Sequence, residues 1–190
     1  MNILAFDPSQ EYTGYCILDV KKRQIIEYDC ITILDLFYEE TGKSIKQLKR
    51  SDAYVFRQQF ALRFSQKISS IFEYNPDITE VALEFPHGSR NAKGAWGLGL
   101  SSGIISGIVI NELGWKSYLL YSQSDAKEYM FNRTTVEKKE TMNLMWSLWE
   151  KNGIMKPEIK WKGKNELRQR KEAVADAMLI LNLHLHERIL

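Results

Sequence analysis

Short apolar runs separated by tight turns predict three consecutive β-strands at the start of the chain. Residues 2–6 form an apolar run that is typical of a buried strand. Two β-rich runs follow over residues 14–20 and 24–33, and the charged triplet at 21–23 between them is typical of a hairpin turn. The polar segment 34–50 is predicted to be an irregular connection.

Beyond residue 50 the apolar residues recur at helical spacing, and helices then alternate with strands. Residues 52–74 are predicted to form an amphipathic helix that ends at Asn75-Pro76. The later pattern predicts a strand, a loop, a helix, a strand and two helices, over residues 79–85, 87–93, 96–113, 115–121, 135–151 and 165–190. Gly114 suits the residue just after a helix end. This order predicts an α/β fold, with a mixed five-stranded sheet flanked by helices.

Composition narrows the class of protein without indicating an activity. The 190 residues are 44% hydrophobic and 12% aromatic, which favours a single folded domain over residues 1–190. No clean apolar run reaches about 18 residues, so no membrane span is expected. Cys16 and Cys30 lack metal-ligand spacing and are expected to be buried free thiols. These thiols, and an N-terminus unlike a signal peptide, predict a cytoplasmic protein.

Basic residues are concentrated in two stretches, although the formal net charge is only +2. Residues 151–171, which include Arg168 and Arg170, carry eight Lys or Arg against two Glu, and residues 43–50 hold a second basic group. Such stretches suit a nucleic-acid backbone, because each Lys or Arg that contacts a phosphate releases a counterion. A solvated basic loop has the same composition, so charge alone leaves both interpretations open.

Two carboxylates each close an apolar, strand-like run. Asp7 follows the first run, and Glu84 ends the run Val81-Ala82-Leu83. An ionised carboxylate at such a place is costly unless it is paired or bound to a metal. If the two strands are parallel neighbours, both side chains emerge at the same end of the sheet. Alternatively, Asp7 caps a turn and Glu84 lies on an exposed edge.

A second pair of acids lies on the last predicted helix. Asp176 is surrounded by small apolar residues, and Glu172 precedes it by one turn on the same face. Glu172 could instead pair with Arg168, and Asp176 could be a buried acid bonded to a neighbouring element. Four hard oxygen ligands without His or Cys nearby suit Mg²⁺, or Mn²⁺ in its place, with two ions in one site.

Four short motifs surround these acids and follow one another along nearly the whole chain. They are Asp7-Pro8-Ser9 with Thr13-Gly14-Tyr15, Leu83-Glu84-Phe85 with the Gly-rich segment 91–99, Val136-Glu137-Lys138-Lys139-Glu140, and Ala173-Val174-Ala175-Asp176-Ala177. The motifs and their order resemble those of the RuvC-type Holliday junction resolvases. The order of strands and helices is also that of the RNase H-like fold, to which this family belongs.

The resemblance implies a metal-dependent, structure-selective endodeoxyribonuclease that cleaves four-way junctions or related branched DNA in recombination and repair. It implies that Asp7, Glu84, Glu172 and Asp176 are the catalytic acids and hold two Mg²⁺ ions. It also implies a homodimer, because two symmetric cuts in a junction require two sites. The expected DNA contacts are His87, Arg90, Asn91, Lys93, Lys138, Lys139, Lys160, Lys162 and Lys164.

The sequence departs from the family pattern at two positions. The acid or His that usually stands three residues before the last Asp is Ala173 here, and Glu172 is the expected substitute. His87 stands where bacterial members place an aromatic wedge. These departures suggest a divergent member, such as a viral one, that acts in a bacterial cell or an infected host cell.

Other functions remain open from the sequence. A ribonuclease H-like enzyme acting on an RNA–DNA hybrid would share the fold and the acids. A non-catalytic branched-DNA-binding protein is a further alternative, although the intact acids argue against it. A sugar-kinase-like ATPase also opens with an Asp before a Thr/Gly hairpin, but 190 residues leave no room for its second half.

Two further expectations concern packing on the predicted helices. His184 and His186 cannot face the same way on a helix, so both are expected at the surface. Gly99, Gly103 and Gly107 share one stripe, where the backbone of the sheet or of a second subunit could approach closely.

Overall fold

Five strands and six helices are present in the residues that the computed structural model describes, which are 1–41, 53–85, 92–151 and 164–189. The strands are β1 (Asn2–Asp7), β2 (Tyr12–Asp19), β3 (Gln24–Thr32), β4 (Ile78–Glu84) and β5 (Tyr118–Tyr121). The helices are α1 (Ile33–Thr41), α2 (Ala53–Tyr74), α3 (Ala92–Leu113), α4 (Gln123–Phe131), α5 (Lys138–Lys151) and α6 (Lys164–Ile189). The strands form one sheet in the order β3-β2-β1-β4-β5. The predicted mixed five-stranded sheet with flanking helices is therefore confirmed.

The register of the sheet determines which residues lie side by side where its strands end. β1 pairs antiparallel with β2 and parallel with β4, and Phe6 lies opposite Leu83. Asp7 and Glu84 are the next residues along, so they leave the sheet side by side at its same end. The strands β1 and β4 are therefore parallel neighbours, which is the arrangement that would bring Asp7 and Glu84 together.

The sheet has a hydrophobic core on each face. On one face, Ala5 and Ala82 lie under α6, whose buried side chains include Val174, Ala177 and Met178. On the other face, the aromatic side chains of α2 stack in a row, and they pack with Ile105 and Val109 of α3. Cys16 and Cys30 are buried and free, as predicted. Side chains alternate between the faces along each strand, so the α6 face also receives Asp7 and Glu84.

Helix α1 corrects the prediction that residues 34–50 form an irregular connection. Thr32 and Asp35 cap its first turn reciprocally: the Asp35 carboxylate accepts from Thr32 N and Oγ1, and Asp35 N donates to Thr32 Oγ1. Phe37 then anchors the helix in the core. The Thr-x-x-Asp signal was present in the sequence, but the many charged residues that follow it hid the signal. Residues 42–50 lie outside the described part of the chain.

Helix α4 was not predicted from the sequence. Ser122 caps its N-terminus by accepting hydrogen bonds from Ser124 N and Asp125 N, and Asn132 ends it in the left-handed conformation, with φ of 55°. Its single buried residue, Ala126, leaves no apolar stripe for a periodicity argument to find. In the sequence, only the residues that cap its two ends indicate this helix.

Three boundaries differ from the prediction by a few residues. The strand predicted over 115–121 is extended only at Tyr118–Tyr121, because Trp115–Ser117 form a 3₁₀ turn. Helix α3 begins earlier, at Ala92, and α5 begins later, at Lys138. Gly114 follows α3 with φ of 79°, as its predicted position after the helix requires.

The outer face of α3 is open. A Cβ atom built at Gly99, Gly103 or Gly107 meets no atom of the described residues within 4 Å, so the expected close approach of the sheet to this stripe is wrong. The segment Gly94–Leu113 has a mean hydropathy of 1.3 and is long and apolar enough to cross a membrane by length and composition only. Core helices satisfy the same criterion, and α3 buries Ile105 and Val109 against the sheet.

Candidate active site at the carboxyl ends of two strands

Asp7 and Glu84 meet at the ends of β1 and β4. Their carboxyl groups are hydrogen-bonded to each other, and burial, the Glu84 charge and the Asp176 charge all raise the pKa of Asp7 well above its usual range. Two carboxyl groups can share a site in this way only if they hold a proton between them or face a compensating cation. The pairing excludes the interpretation of Glu84 as an exposed edge residue.

A glycine allows the third acid to join them. Gly14 lies directly opposite Asp7 in the β1–β2 pairing. A Cβ at Gly14 would lie 2.1 Å from the carbonyl oxygen of Ala173 on α6. Only a residue without a side chain permits this approach of helix to strand. The contact brings the Glu172–Asp176 turn of α6 over the end of the sheet.

Asp176 is buried beneath the other acids. Its residue surface is only 7% exposed. Burial, followed by the Glu84 charge, raises the pKa of Asp176 to about 7, while Lys138 and Lys127 act in the opposite direction. A buried carboxyl whose pKa is raised by other acids in a cleft is a recognised mark of a functional site. Asp176 therefore belongs with Asp7 and Glu84.

Glu172 lies at the edge of this cluster. Its contacts are compatible with both interpretations from the sequence, a member of the acid site and a helical acid paired with Arg168. Its Oε1 is 3.2 Å from Nε of Arg168, the pairing expected of an exposed helical acid. Its charge also raises the pKa of Asp176, so it lies within the electrostatic field of the cluster. Glu172 is available to the site only if it exchanges its arginine partner for another cation.

Two lysines face the acids from neighbouring helices. Lys138 begins α5, and its charge lowers the pKa of both Asp7 and Asp176. Lys127 on α4 lowers the pKa of Asp176, and its ammonium group donates to Gln123 Oε1 at 2.9 Å. Lys138 was among the predicted residues, whereas Lys127 was missed together with its helix. The Ser122 cap was the one sequence signal that could have led to it.

Of the other residues predicted to contact DNA, only Lys139 has its side chain in the described part of the chain. Lys139 lines an open hollow together with Phe131, Glu140 and Asn143. His87, Arg90, Asn91, Lys160 and Lys162 lie outside the described residues, as do the side chains of Lys93 and Lys164.

Arg170 does not belong to the basic surface predicted for residues 151–171. It is only 6% exposed, and it donates to the carbonyl oxygen of Cys30 at 2.9 Å and to Asp35 Oδ1 at 2.6 Å. It also pairs with Glu166 at 2.9 Å. These bonds fasten α6 to β3 and α1, because a buried guanidinium needs partners for its donors. Arg170 is thus unavailable to a phosphate.

The prediction that His184 lies at the surface is wrong. His184 is fully buried, with Nδ1 2.8 Å from the Tyr121 hydroxyl and Nε2 3.0 Å from Glu80 Oε2. Burial lowers its pKa, which favours the neutral ring. Counting in fours from Asp176 along α6 leads to His184, so its inward direction could have been predicted. His186 is half-buried and stacks on Tyr129, with ring centroids 4.2 Å apart.

The donor set fits a hard divalent cation. Asp7, Glu84 and Asp176 offer carboxylate oxygens, which Mg²⁺ and Mn²⁺ prefer, and the raised pKa values of Asp7 and Asp176 reflect a cluster that a positive partner would stabilise. In the described ranges, no three Asp, Glu, His or Cys side chains converge tightly enough to form a ready coordination shell.

Three solved structures with a similar arrangement of strands and helices are described as RuvC or as a Holliday junction resolvase. The chain is similar to T. thermophilus RuvC in complex with Holliday junction substrate, with a TM-score of 0.62 over 100% of this chain and 96% of that chain, at 13% identity. The chain has a RuvC-type resolvase fold. A Thermus thermophilus RuvC structure (TM-score 0.58, 12% identity, 97% of each chain) and the yeast mitochondrial Holliday junction resolvase Ydc2 (0.60, 11%, 97% of this chain and 80% of that chain) are also similar. No protein-family model and no curated protein matches the sequence. At these identities the likeness establishes the fold.

The raised pKa of Asp176 leads to a prediction about stability. Because the folded protein binds this proton more tightly than the unfolded chain, the stability contributed by Asp176 is lost as pH rises from about 4 to about 7. Without divalent cations, Asp176→Asn should therefore be more stable than the wild type at pH 8, on the order of 1–3 kcal/mol, and this advantage should vanish near pH 4.

Urea unfolding of both proteins across this pH range measures the effect. The difference between the two curves removes the contribution of groups that do not interact with Asp176, such as His184, and retains that of Asp176 and of Asp7, which is coupled to it. Mg²⁺ should stabilise the wild type at pH 8 and have much less effect on the variant. A variant less stable than the wild type at pH 8 would contradict the assigned environment of Asp176.

Proposed function

We propose that this protein is a metal-dependent endonuclease that cleaves four-way DNA junctions or related branched DNA. One observation carries the proposal: Asp7, Glu84 and Asp176 converge at one end of the sheet in a RuvC-type fold. Such a cluster is unfavourable in a protein that only binds DNA, since each acid repels the others and the phosphates. This argues against the non-catalytic alternative.

Divalent cations complete the proposed site. Asp7, Glu84 and Asp176 would hold two Mg²⁺ or Mn²⁺ ions, with Glu172 as a fourth ligand. When bound, the ions would supply an activated water and stabilise the leaving oxygen of a phosphodiester. The acids would bind and orient the cations, and the ammonium groups of Lys127 and Lys138 would offer positive charge to a phosphate at the rim.

A second copy of the chain is the proposed partner along α3. No described residue covers the glycine stripe on its outer face, although the helix is apolar. Glycines allow two backbones to approach closely, and a symmetric pair of sites would suit a substrate with two equivalent strands. A measured solution mass of twice the 22.2 kDa chain would support this arrangement.

Nicking of synthetic substrates tests the proposed function directly. A four-way junction, a linear duplex of the same sequence and an RNA–DNA hybrid are incubated with the protein, with and without Mg²⁺. We expect Mg²⁺-dependent cuts in the junction and little cutting of the duplex. Preferential cutting of the hybrid would instead favour the ribonuclease H-like alternative, and no cutting of any substrate would refute the nuclease.

Glu172 can be tested by the concentration of Mg²⁺ that cleavage requires. If Glu172 is a ligand, Glu172→Gln should raise the Mg²⁺ midpoint about tenfold, which corresponds to the loss of one weak carboxylate contact. Arg168→Ala is the matched control, because it breaks the same ion pair but keeps the carboxylate. An unshifted midpoint in Glu172→Gln would reduce the site to three acids.

Lys138 and its neighbour Lys139 offer a second comparison between two matched variants. Lys138→Ala should lower the cleavage rate about tenfold or more, since it removes a positive charge beside Asp7 and Asp176. Lys139→Ala removes the same charge one residue away, from a side chain that lines a different hollow, and should cost less. Single-turnover rates on a junction measure both, and equal losses would show that the two lysines act only through general charge.

A further inference from the structure

An exposed tryptophan and arginine form a pair on the surface formed by the first turns of α2 and α3. The Arg57 guanidinium carbon lies 4.3 Å from the centroid of the Trp96 ring and covers one of its faces. Trp96 is 36% exposed and Arg57 is also exposed. A cation–π contact at such a site contributes little to stability, so packing alone does not explain a tryptophan here.

The pair lies at the same end of the sheet as the candidate active site, on the side covered by α2 and α3. Gly97, which follows Trp96, is pressed against Gln10, because a Cβ at Gly97 would lie 2.7 Å from Gln10 Oε1. Gln10 is in the turn that leaves β1 just after Asp7. The turn therefore links the acid cluster directly to the base of the tryptophan.

A second exposed aromatic ring lies at the same end of the sheet. Phe85 follows Glu84 and is 49% exposed, and its N–H donates to the Tyr121 carbonyl at 2.7 Å. This bond continues the β4–β5 pairing by one residue, so the Phe85 side chain points to the face opposite Glu84. That is the face covered by α2 and α3, which carry Arg57 and Trp96.

We propose that Trp96, backed by Arg57, is a stacking surface for an unpaired nucleobase of a branched DNA substrate. The inference rests on the proposed function and names a substrate contact for it. An aromatic ring stacks on any base, and a guanidinium adds charge that suits the adjacent phosphates. Bases in a linear duplex are already stacked on one another, so such a surface favours DNA whose strands separate. Trp96 would thus help to select branched substrates.

Binding measurements in an Asp176→Asn background, which should prevent cleavage, test this inference. The parent, Trp96→Ala, Trp96→Phe and Trp115→Ala are each titrated with a four-way junction and with a linear duplex. Trp115 is the matched control, because it is 73% exposed but precedes β5 at the far end of the sheet. Circular dichroism verifies that each variant is folded.

We expect Trp96→Ala to weaken junction binding about tenfold while duplex binding changes less than about twofold. Trp96→Phe should retain most of the affinity, because it keeps an aromatic face, and Trp115→Ala should match the parent. Equal losses on junction and duplex, or no loss on either, would overturn the inference.

Fluorescence of 2-aminopurine in a single-stranded oligonucleotide tests the stacking independently of junction cleavage. The parent should quench this base on binding, and Trp96→Ala should bind with much less quenching. If the wild type cuts no branched DNA but the quenching depends on Trp96, the proposed function fails and the stacking surface stands. Quenching that is unchanged in Trp96→Ala, or absent from the parent, would overturn the stacking surface.

Discussion

Asp7→Asn, Glu84→Gln and Asp176→Asn are each expected to slow junction cleavage about a thousandfold or more, with junction binding largely retained. The neutral side chains keep the shape of the acids but remove the charge that would hold divalent cations. Single-turnover cleavage at saturating protein measures the rate, and gel-shift titration measures the binding.

Glu80→Gln is a matched control for these variants. Glu80 lies on β4, as Glu84 does, but its carboxylate bonds to His184 and to Arg188 instead of facing the acid cluster. Because glutamine can keep a bond to His184, cleavage should stay near the wild-type rate. If Asp176→Asn cut at the wild-type rate, Asp176 would not be part of the metal site.

Gly14→Ala is expected to destabilise the protein by about 3 kcal/mol or more and to reduce cleavage even where the protein remains folded. The new methyl group would overlap the backbone of Ala173, and backbone cannot rotate away as a flexible side chain can. Helix α6 must then move off the sheet, which carries Asp176 away from Asp7. Urea unfolding and the single-turnover rate measure the two effects.

Gly99→Ala provides the comparison for this variant. A Cβ at Gly99 meets no atom of the described residues within 4 Å, and alanine is favoured over glycine inside a helix by about 1 kcal/mol. Measured at a concentration where the chain is monomeric, so that the proposed dimer contact is absent, its stability should therefore be equal to or above that of the wild type. A Gly14→Ala protein with normal stability and normal activity would show that the close approach of α6 is not required.

Local patterns were sufficient to predict most of the elements and three members of the candidate site. An abrupt change from an apolar run to one carboxylate marked Asp7 and Glu84, and an acid amid small apolar residues marked Asp176. These signals can be recognised in the sequence because the burial of one face of a strand or helix restricts which residue types occur at each position. Helix α4 and helix α1 were missed because capping, not periodicity, defines their starts.

Only the tertiary structure decided which of these residues meet. The parallel pairing of β1 with β4 joins Asp7 to Glu84, and the contact between Gly14 and Ala173 adds Asp176. The tertiary structure also places Arg170 and His184 inside the protein, although both were expected at the surface. Whether a charged or polar side chain is buried depends on partners far away in the chain, such as Asp35 for Arg170. Such partners leave no periodic signal in the sequence around the residue itself.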